Sequence, residues 1–344
     1  MDSYTQQQFF TIIIPTYNRC EMLKESLEMV LPQVRKWKDD VRLYVSDNAS
    51  TDDTQELVKH FLQSDSDILQ YYRQSENIGG QANFRHAVKN VQSKYVCLIG
   101  DDDVVFPNYV ETIVSLLKSH PDVGMINYNV MSVNYELRQA SLREKDIRCL
   151  TPIVYSSGKE LIYNHLIVPS LVSSNVFLRD DFVSMMDTIQ IGTYPGYDWL
   201  AVLYRSIMEK KCIFLGLPIL LQRYPSEQRW VVDAPWYHIY GFGRLFKDLD
   251  SEIPHLYEHW MDYSKKEGKD DLNYILTIVA NNKEIYKERF ETMRPYMCSP
   301  EYVRQFRLRL EHSASYIGFV NAPVWFVYLR VRSFFIRVLS IFRR

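Results

Sequence analysis

The 344-residue chain carries almost no net charge: forty Lys+Arg stand against 42 Asp+Glu, a formal −2. No overall basic field draws it to nucleic acid, and no nucleic-acid partner is expected. Cysteine is scarce. Cys20, Cys97, Cys149, Cys212 and Cys298 are odd in number and scattered, which excludes a stapled disulfide framework and a C-x2-C zinc site and fits reduced thiols in the cytoplasm. The opening MDSYTQQQFF lacks the basic-then-apolar order of a secretory signal. Long apolar runs are missing as well. The uncharged stretch 313–329 is shorter than the roughly 20 residues a spanning helix needs and contains Asn321 and Pro323, so no transmembrane helix is expected. Neither an internal repeat nor a low-complexity linker divides the chain. Two nucleotide signatures are also absent, the G-x-x-x-x-G-K-[ST] phosphate loop and the G-x-G-x-x-G dinucleotide turn. PTYNR follows the first apolar run instead, and nucleotide binding would need another route.

With 47% hydrophobic residues the chain can bury a large core. FFTIII (Phe9–Ile14), stopped by Pro15, reads as a parallel strand buried on both faces, and residues 21–34 carry apolar positions at helical spacing. VRLYVS (Val41–Ser46) reads as a second strand ending at Asp47, and Thr51 to Thr54 offer an N-cap for the helix QELVKHFL. ILQYYR then precedes the turn Asn77-Ile78-Gly79-Gly80, a helix over 81–91 follows, and KYVCLI ends at Gly100-Asp101-Asp102-Asp103. This alternation predicts βαβ units with right-handed crossovers. The expected fold class is α/β: a mixed, mostly parallel Rossmann-like sheet with helices on both faces. A helical, amphipathic C-terminal extension should follow.

The polar clusters fall where the strands end, which is where open α/β sheets bind ligands. Three adjacent carboxylates, Asp101 to Asp103, repel one another, and burying them is costly unless a cation neutralises them. Mg²⁺ or Mn²⁺ would do so while leaving coordination positions for phosphate oxygens, which points to a nucleoside-diphosphate substrate. A solvated acidic turn is the alternative. Asp47 can accept an N–H from a nucleobase at the sheet crevice or serve an Asx turn. His255 and His259 stand four apart, but HLYEH lacks the Glu that H-E-x-x-H needs, and no metal is expected there.

Taken in order, IIPTYNR (Ile13–Arg19), VSDNASTDDT, Asn77-x-Gly79 and GDDD resemble glycosyltransferase family 2, of GT-A fold; within it the NRC-x-x-L start, the NFRHA helix and the GDDD ending resemble the bacterial O-antigen transferases of abequosyltransferase type. The resemblance implies a nucleotide-sugar site at Pro15, Thr16, Tyr17, Asn18, Asp47, Arg73, Asn77 and Gly79. The usual D-x-D-D of the family reads Gly100-Asp101-Asp102-Asp103 here, which shifts the ribose contact to Asp101, keeps Asp102 at the nucleotide sugar and leaves Asp102 and Asp103 as rival metal ligands. For an inverting transferase it implies a base for the acceptor hydroxyl, matched by Asp198 in Gly196-Tyr197-Asp198-Trp199 at the start of a helix, with Trp199 towards the acceptor. A carboxylate that only complements the helix dipole is the alternative. Gln228-Arg229-Trp230 matches part of the Q-x-x-R-W motif of processive synthases, but Ser226 stands where the Gln is needed. Arg229 could contact the diphosphate and Trp230 stack on an acceptor sugar; an interface Arg and a core Trp are equal alternatives.

The chain therefore reads as a GT-A catalytic domain over 1–240, with a nucleotide-sugar half near 8–124 and an acceptor half near 125–240, followed by a helical region 241–344. Over 327–344 a helical wheel sets Arg330, Ser333, Arg337, Ser340 and Arg344 opposite Val331, Phe334, Phe335, Val338 and Phe342, a pattern suited to an in-plane helix on an anionic membrane or to packing on a partner. The function expected is single-sugar, metal-dependent, inverting transfer from a nucleoside-diphosphate sugar to a lipid-linked or oligosaccharide acceptor, on the inner face of the cell membrane. A nucleotidyltransferase and a non-catalytic glycan-binding protein are the rival readings.

Overall fold

The computed structural model describes residues 8–134, 140–142, 151–224 and 232–311. The chain separates into two compact units, 1–228 and 229–344. In the first, β1 (Gln8–Thr16), α1 (Cys20–Lys36), β2 (Val41–Asp47), α2 (Thr54–Asp65), β3 (Leu69–Arg73), α3 (Gly80–Asn90) and β4 (Ser93–Leu98) alternate as expected. There follow β5 (Val104–Val105), α4 (Tyr109–Ser119), β6 (Val123–Tyr128), β7 (Met131–Asn134), β8 (Ala140–Leu142), β9 (Ile153–Tyr155), α5 (Gly158–Asn164), β10 (Asn175–Leu178), α6 (Arg179–Met186), α7 (Asp198–Ile207), β11 (Lys211–Leu215) and β12 (Leu220–Tyr224).

Eight strands form one sheet in the order β3-β2-β1-β4-β10-β6-β11-β9. β1, β2, β3 and β4 run parallel, as do β6 and β11, while β10 runs antiparallel between β4 and β6 and β9 antiparallel at the edge. The mostly parallel α/β architecture is thus the one expected. Strand alternation shows both faces covered. Phe10, Ile12 and Ile14 of β1 join Leu23, Leu27 and Val30 of α1 and Ile113 of α4 in one core. On the other face Phe84 of α3 and Phe177 of β10 pack edge-on or tilted against Phe182 of α6.

Two apolar runs of the sequence are each divided between two sheets. VGMINYNVMSVNY supplies β6 to the large sheet and β7 to a second one, and CIFLGLPILLQRY supplies β11 and β12 likewise. The second sheet, in the order β5-β12-β7-β8, pairs Val104 and Val105 with Leu221 and Leu220, and so fixes the chain just beyond the three aspartates. β1 runs through Pro15 to Thr16 rather than stopping at Ile14. Ile13 accepts its bond from Ile99, so Pro15's missing N–H falls on the β4 side, where that ladder ends.

In the second unit a π-helical turn, Trp236–Gly241, leads into α8 (Phe242–Leu249), α9 (Leu256–Asn281), α10 (Lys283–Met293) and α11 (Pro300–Glu311). Val279, Tyr286, Met293 and Phe306 are buried in its core. No helix among the described residues is long and apolar enough to cross a membrane. The amphipathic segment 327–344 lies outside the described residues.

Asn83 ties α3 to the sheet. Its side chain is buried, accepts from Ser46 Oγ at 2.8 Å and Gln74 Nε2 at 3.2 Å, and donates to the Ser46 carbonyl at 2.9 Å. Asn83→Ala leaves those buried groups unpaired, and urea unfolding should show a loss of about 1–3 kcal/mol.

Candidate active site

The carboxyl ends of four parallel strands carry one row of polar residues. Register sets Thr16 opposite Asp47 and Asp47 opposite Arg73, and Ile13 opposite Leu98, which brings Asp101 level with Thr16. The two meet directly: Thr16 Oγ1 donates to Asp101 Oδ2 at 2.8 Å. Asp47 is fully buried, with Oδ1 accepting from the Ser50 N–H at 2.7 Å and Oδ2 from the Tyr71 hydroxyl at 2.6 Å. Arg73 Nε stands 3.5 Å from Oδ2, and Arg73 also donates to the Ser50 carbonyl at 2.8 Å. Burial and the Asp47 carboxylate push the Tyr71 phenol well up, which keeps it a proton donor.

Three loops are stapled around this row. Asn18 sits at φ 53, a left-handed conformation that Asn tolerates, donates its N–H to Ser50 Oγ at 3.0 Å and accepts from the Thr51 N–H at 2.6 Å. Asn48 donates to Asn77 Oδ1 at 2.8 Å and accepts from the Ile78 N–H at 3.0 Å, while Asn77 Oδ1 also caps the Gly79 N–H at 2.9 Å. Gly79 adopts φ 84, which a side chain would strain, just before α3. Tyr17, Arg73 and Asn77 are exposed beside Asp47, so the crevice pairs a buried acceptor with reachable aromatic, guanidinium and amide groups.

The three aspartates are not a solvated turn. Asp101 and Asp103 are buried and Asp102 half-buried. Burial pushes the Asp101 carboxyl up to about 6 against the opposing pull of the Arg19 guanidinium, and burial beside Asp102 pushes Asp103 up to about 7. Arg19 Nη1 reaches Asp101 at 2.8 Å and Asp102 at 3.0 Å. Asp103 accepts from the Ser173 hydroxyl, and from the Gly100 N–H at 3.2 Å. Asp102 Oδ1 and Asp103 Oδ2 converge over Gly100: a Cβ there would meet them at 2.8 and 2.9 Å. Two hard oxygens brought together where only a glycine fits suit a cation that takes few protein ligands and completes its shell from phosphate and water. Among the described residues no group of three or more His, Cys, Asp or Glu side chains forms a closed metal cage.

Asp198 opens α7 and is fully buried, accepting from the Gly192 N–H and the Tyr194 N–H at 2.7 Å each. Gly192 and Gly196 hold the preceding turn at positive φ, 93 and 78. Trp199 beside it is half-buried. Asp198 makes no hydrogen bond to the strand-end row, and Arg229 and Trp230 lie outside the described residues. Sequence reasoning overlooked Arg19, Tyr71 and Ser173. Tyr71 was within reach, two residues before Arg73 on the same strand face. Ser173 gives no local signal, since its partner lies seventy residues away.

The sequence profile described as glycosyl transferase family 2 matches residues 11–182, half of the chain. The chain belongs to glycosyltransferase family 2. Its fold is GT-A. Among its relatives, abequosyltransferase RfbV of Salmonella typhimurium is 34% identical over 110 residues, 32% of this chain and 33% of that protein. The GalNAc(5)-diNAcBac-PP-undecaprenol beta-1,3-glucosyltransferase of Campylobacter jejuni is 29% identical over 105 residues, 30% of this chain and 33% of that protein. The chain thus spans about a third of the length of these relatives. In fold it is similar to Staphylococcus aureus TarS 1-349 in complex with UDP-GlcNAc, at TM-score 0.57 and 12% identity over 88% of this chain and 91% of that one.

The acidic row makes stability depend on pH. The folded family 2 domain holds the Asp101 and Asp103 protons up to about 6 and 7, whereas the unfolded chain releases them near 3.8. Between those limits the folded state binds more protons, so metal-free stability should fall as pH rises from about 4 to 7. Asp103→Asn should flatten that slope and raise stability at pH 8 by something of the order of 1 kcal/mol; urea midpoints of both proteins at pH 5 and pH 8 check it.

Proposed function

We propose that this family 2 enzyme transfers one sugar from a nucleoside-diphosphate sugar, with inversion at the anomeric carbon, to a lipid-linked glycan acceptor in surface-polysaccharide synthesis. The observation that carries the donor part is the strand-end row, where a buried acceptor at Asp47 and a buried acidic cluster at Asp101 to Asp103 stand one strand apart across Thr16. Pro15, Thr16, Tyr17 and Asn18 would flank the base, Asp47 accept its N–H, Arg73, Asn77 and Gly79 border base and ribose, and Asp101 meet the ribose. Asp102 and Asp103 would hold Mg²⁺ or Mn²⁺ over Gly100, with Asp102 also bordering the nucleotide sugar. The ion supplies charge neutralisation for a departing diphosphate. The complex of TarS with UDP-GlcNAc supports a nucleotide-sugar donor, and the undecaprenol-linked acceptor in the name of the Campylobacter relative supports a lipid-linked acceptor.

Asp198 would take the acceptor proton. Both its oxygens are engaged by N–H donors of the turn before α7, so this role requires the turn to release one of them, and the two glycines at positive φ give it a backbone that can rearrange. Trp199 would line the acceptor side. Arg229 and Trp230 follow as diphosphate and acceptor contacts on the sequence motif alone.

A panel of nucleotide sugars assayed with Mn²⁺, with and without chelator, should identify a hydrolysed donor whose turnover the chelator removes. Asp102→Asn should abolish transfer. Asp198→Asn should lower it by about 100-fold or more with nucleotide affinity kept, and a product of retained anomeric configuration by NMR would overturn the inverting mechanism. The arginines and phenylalanines of 327–344 support attachment to the cytoplasmic face of an anionic membrane. Truncation after Asn321 should then abolish co-sedimentation with anionic vesicles while donor hydrolysis continues; sedimentation unchanged by truncation would remove the tail from that role.

A further inference from the structure

Arg19 is held on the acidic cluster in a way that permits exchange. A single nitrogen, Nη1, serves both Asp101 at 2.8 Å and Asp102 at 3.0 Å, while Nε and Nη2 donate to nothing among the described residues. The side chain is 44% exposed. Arg35 shows the contrasting arrangement: its Nε and Nη2 both grip Asp65, at 2.6 and 2.8 Å, in the two-nitrogen fork that fixes a carboxylate. The backbone under Arg19 is pinned on both sides, by Asn18 to Ser50 and Thr51 and by the Cys20 N–H to Asp52 at 3.0 Å. Only the side chain is left free to swing.

The partners differ in what they lose if Arg19 leaves. Asp101 keeps the Thr16 hydroxyl on its other oxygen. Among the described residues Asp102 has no second donor: its Oδ2 accepts from Arg19, and its Oδ1 lies against Gly100 beside Asp103 Oδ2. One carboxylate thus meets a guanidinium on one edge and the candidate cation space on the other. A divalent ion on Asp102 puts like charges on either side of a single carboxylate, a few ångströms apart, and this favours departure of the weakly held guanidinium into solvent.

Building on the donor reading above, we propose that Arg19 is the resting counter-ion of Asp102, and that a divalent cation binds this site by displacing it. Arg19 is then a positioning residue. It neutralises the cluster while no donor is present and sets a threshold against metal binding in the absence of nucleotide.

The test is Mn²⁺ affinity of the full chain without nucleotide, read from the free Mn²⁺ signal in electron paramagnetic resonance and by calorimetry. Arg19→Gln and Arg19→Met remove the competing charge and should each tighten Mn²⁺ binding by about tenfold or more, whereas Arg19→Lys should stay near wild type. Two neutral variants are used so that the result does not hang on one of them folding, which circular dichroism confirms. If both bind Mn²⁺ no tighter than wild type while wild type binds it in the presence of UDP or GDP, Arg19 is not the competitor and the donor reading stands. If no protein binds Mn²⁺ with or without nucleotide, the metal part of the donor reading fails and the displacement with it.

Discussion

Negative charge buried at the carboxyl end of a parallel sheet is the constraint on which the rest of this structure depends. Asp47, Asp101 and Asp103 are all buried, and each must find partners for its oxygens. An unpaired buried carboxylate is so costly that the surrounding chain is organised to prevent it. Tyr71 and the Ser50 N–H serve Asp47, Thr16 and Arg19 serve Asp101, and Ser173 and the Gly100 N–H serve Asp103. These bonds tie β1, β2, β3, the loop after β4 and the segment before β10 to a single locus.

The supports extend behind the cluster. Tyr109 and Tyr128 share a hydroxyl contact of 2.8 Å, and Tyr128 donates to the carbonyl of Ser173, whose own hydroxyl holds Asp103. Gln33, buried on α1, donates to the Phe106 carbonyl at 2.9 Å and accepts from the Val110 N–H at 3.1 Å, anchoring the chain that leaves the aspartates. The second sheet clamps the same stretch through β5. Such rigidity suits the donor site proposed above, because groups that meet a charged diphosphate act best when already in place.

What the strands and helices of the first hundred residues look like was legible in the sequence. FFTIII, VRLYVS and KYVCLI are mostly apolar runs that suit a strand covered on both sides, and Asp47 and Asp101 stand at or just beyond their ends by sequence position alone. The family resemblance rests on the same local stretch, and the matched profile covers it. Beyond Val123 the apolar runs are ambiguous, because VGMINYNVMSVNY and CIFLGLPILLQRY each leave one sheet and enter another. Apolar periodicity reports that a residue is buried, and does not report against which sheet.

The sequence by itself determined which residues could carry the chemistry: carboxylates, a threonine, an arginine and an asparagine placed after strands, at spacings that local hydrogen bonding dictates. Only the tertiary structure decided how they are spent. Arg19 meets Asp101 and Asp102 across 82 and 83 residues of chain, and Ser173 meets Asp103 across 70. Asp198 lies deep in its turn with both oxygens taken, although its sequence context reads as the open start of a helix. For the Arg19 and Ser173 contacts the physical reason is the same. A charged side chain chooses its partner by what lies within about 3 Å after the core has closed, and that distance is set by strand order and register rather than by neighbours along the chain.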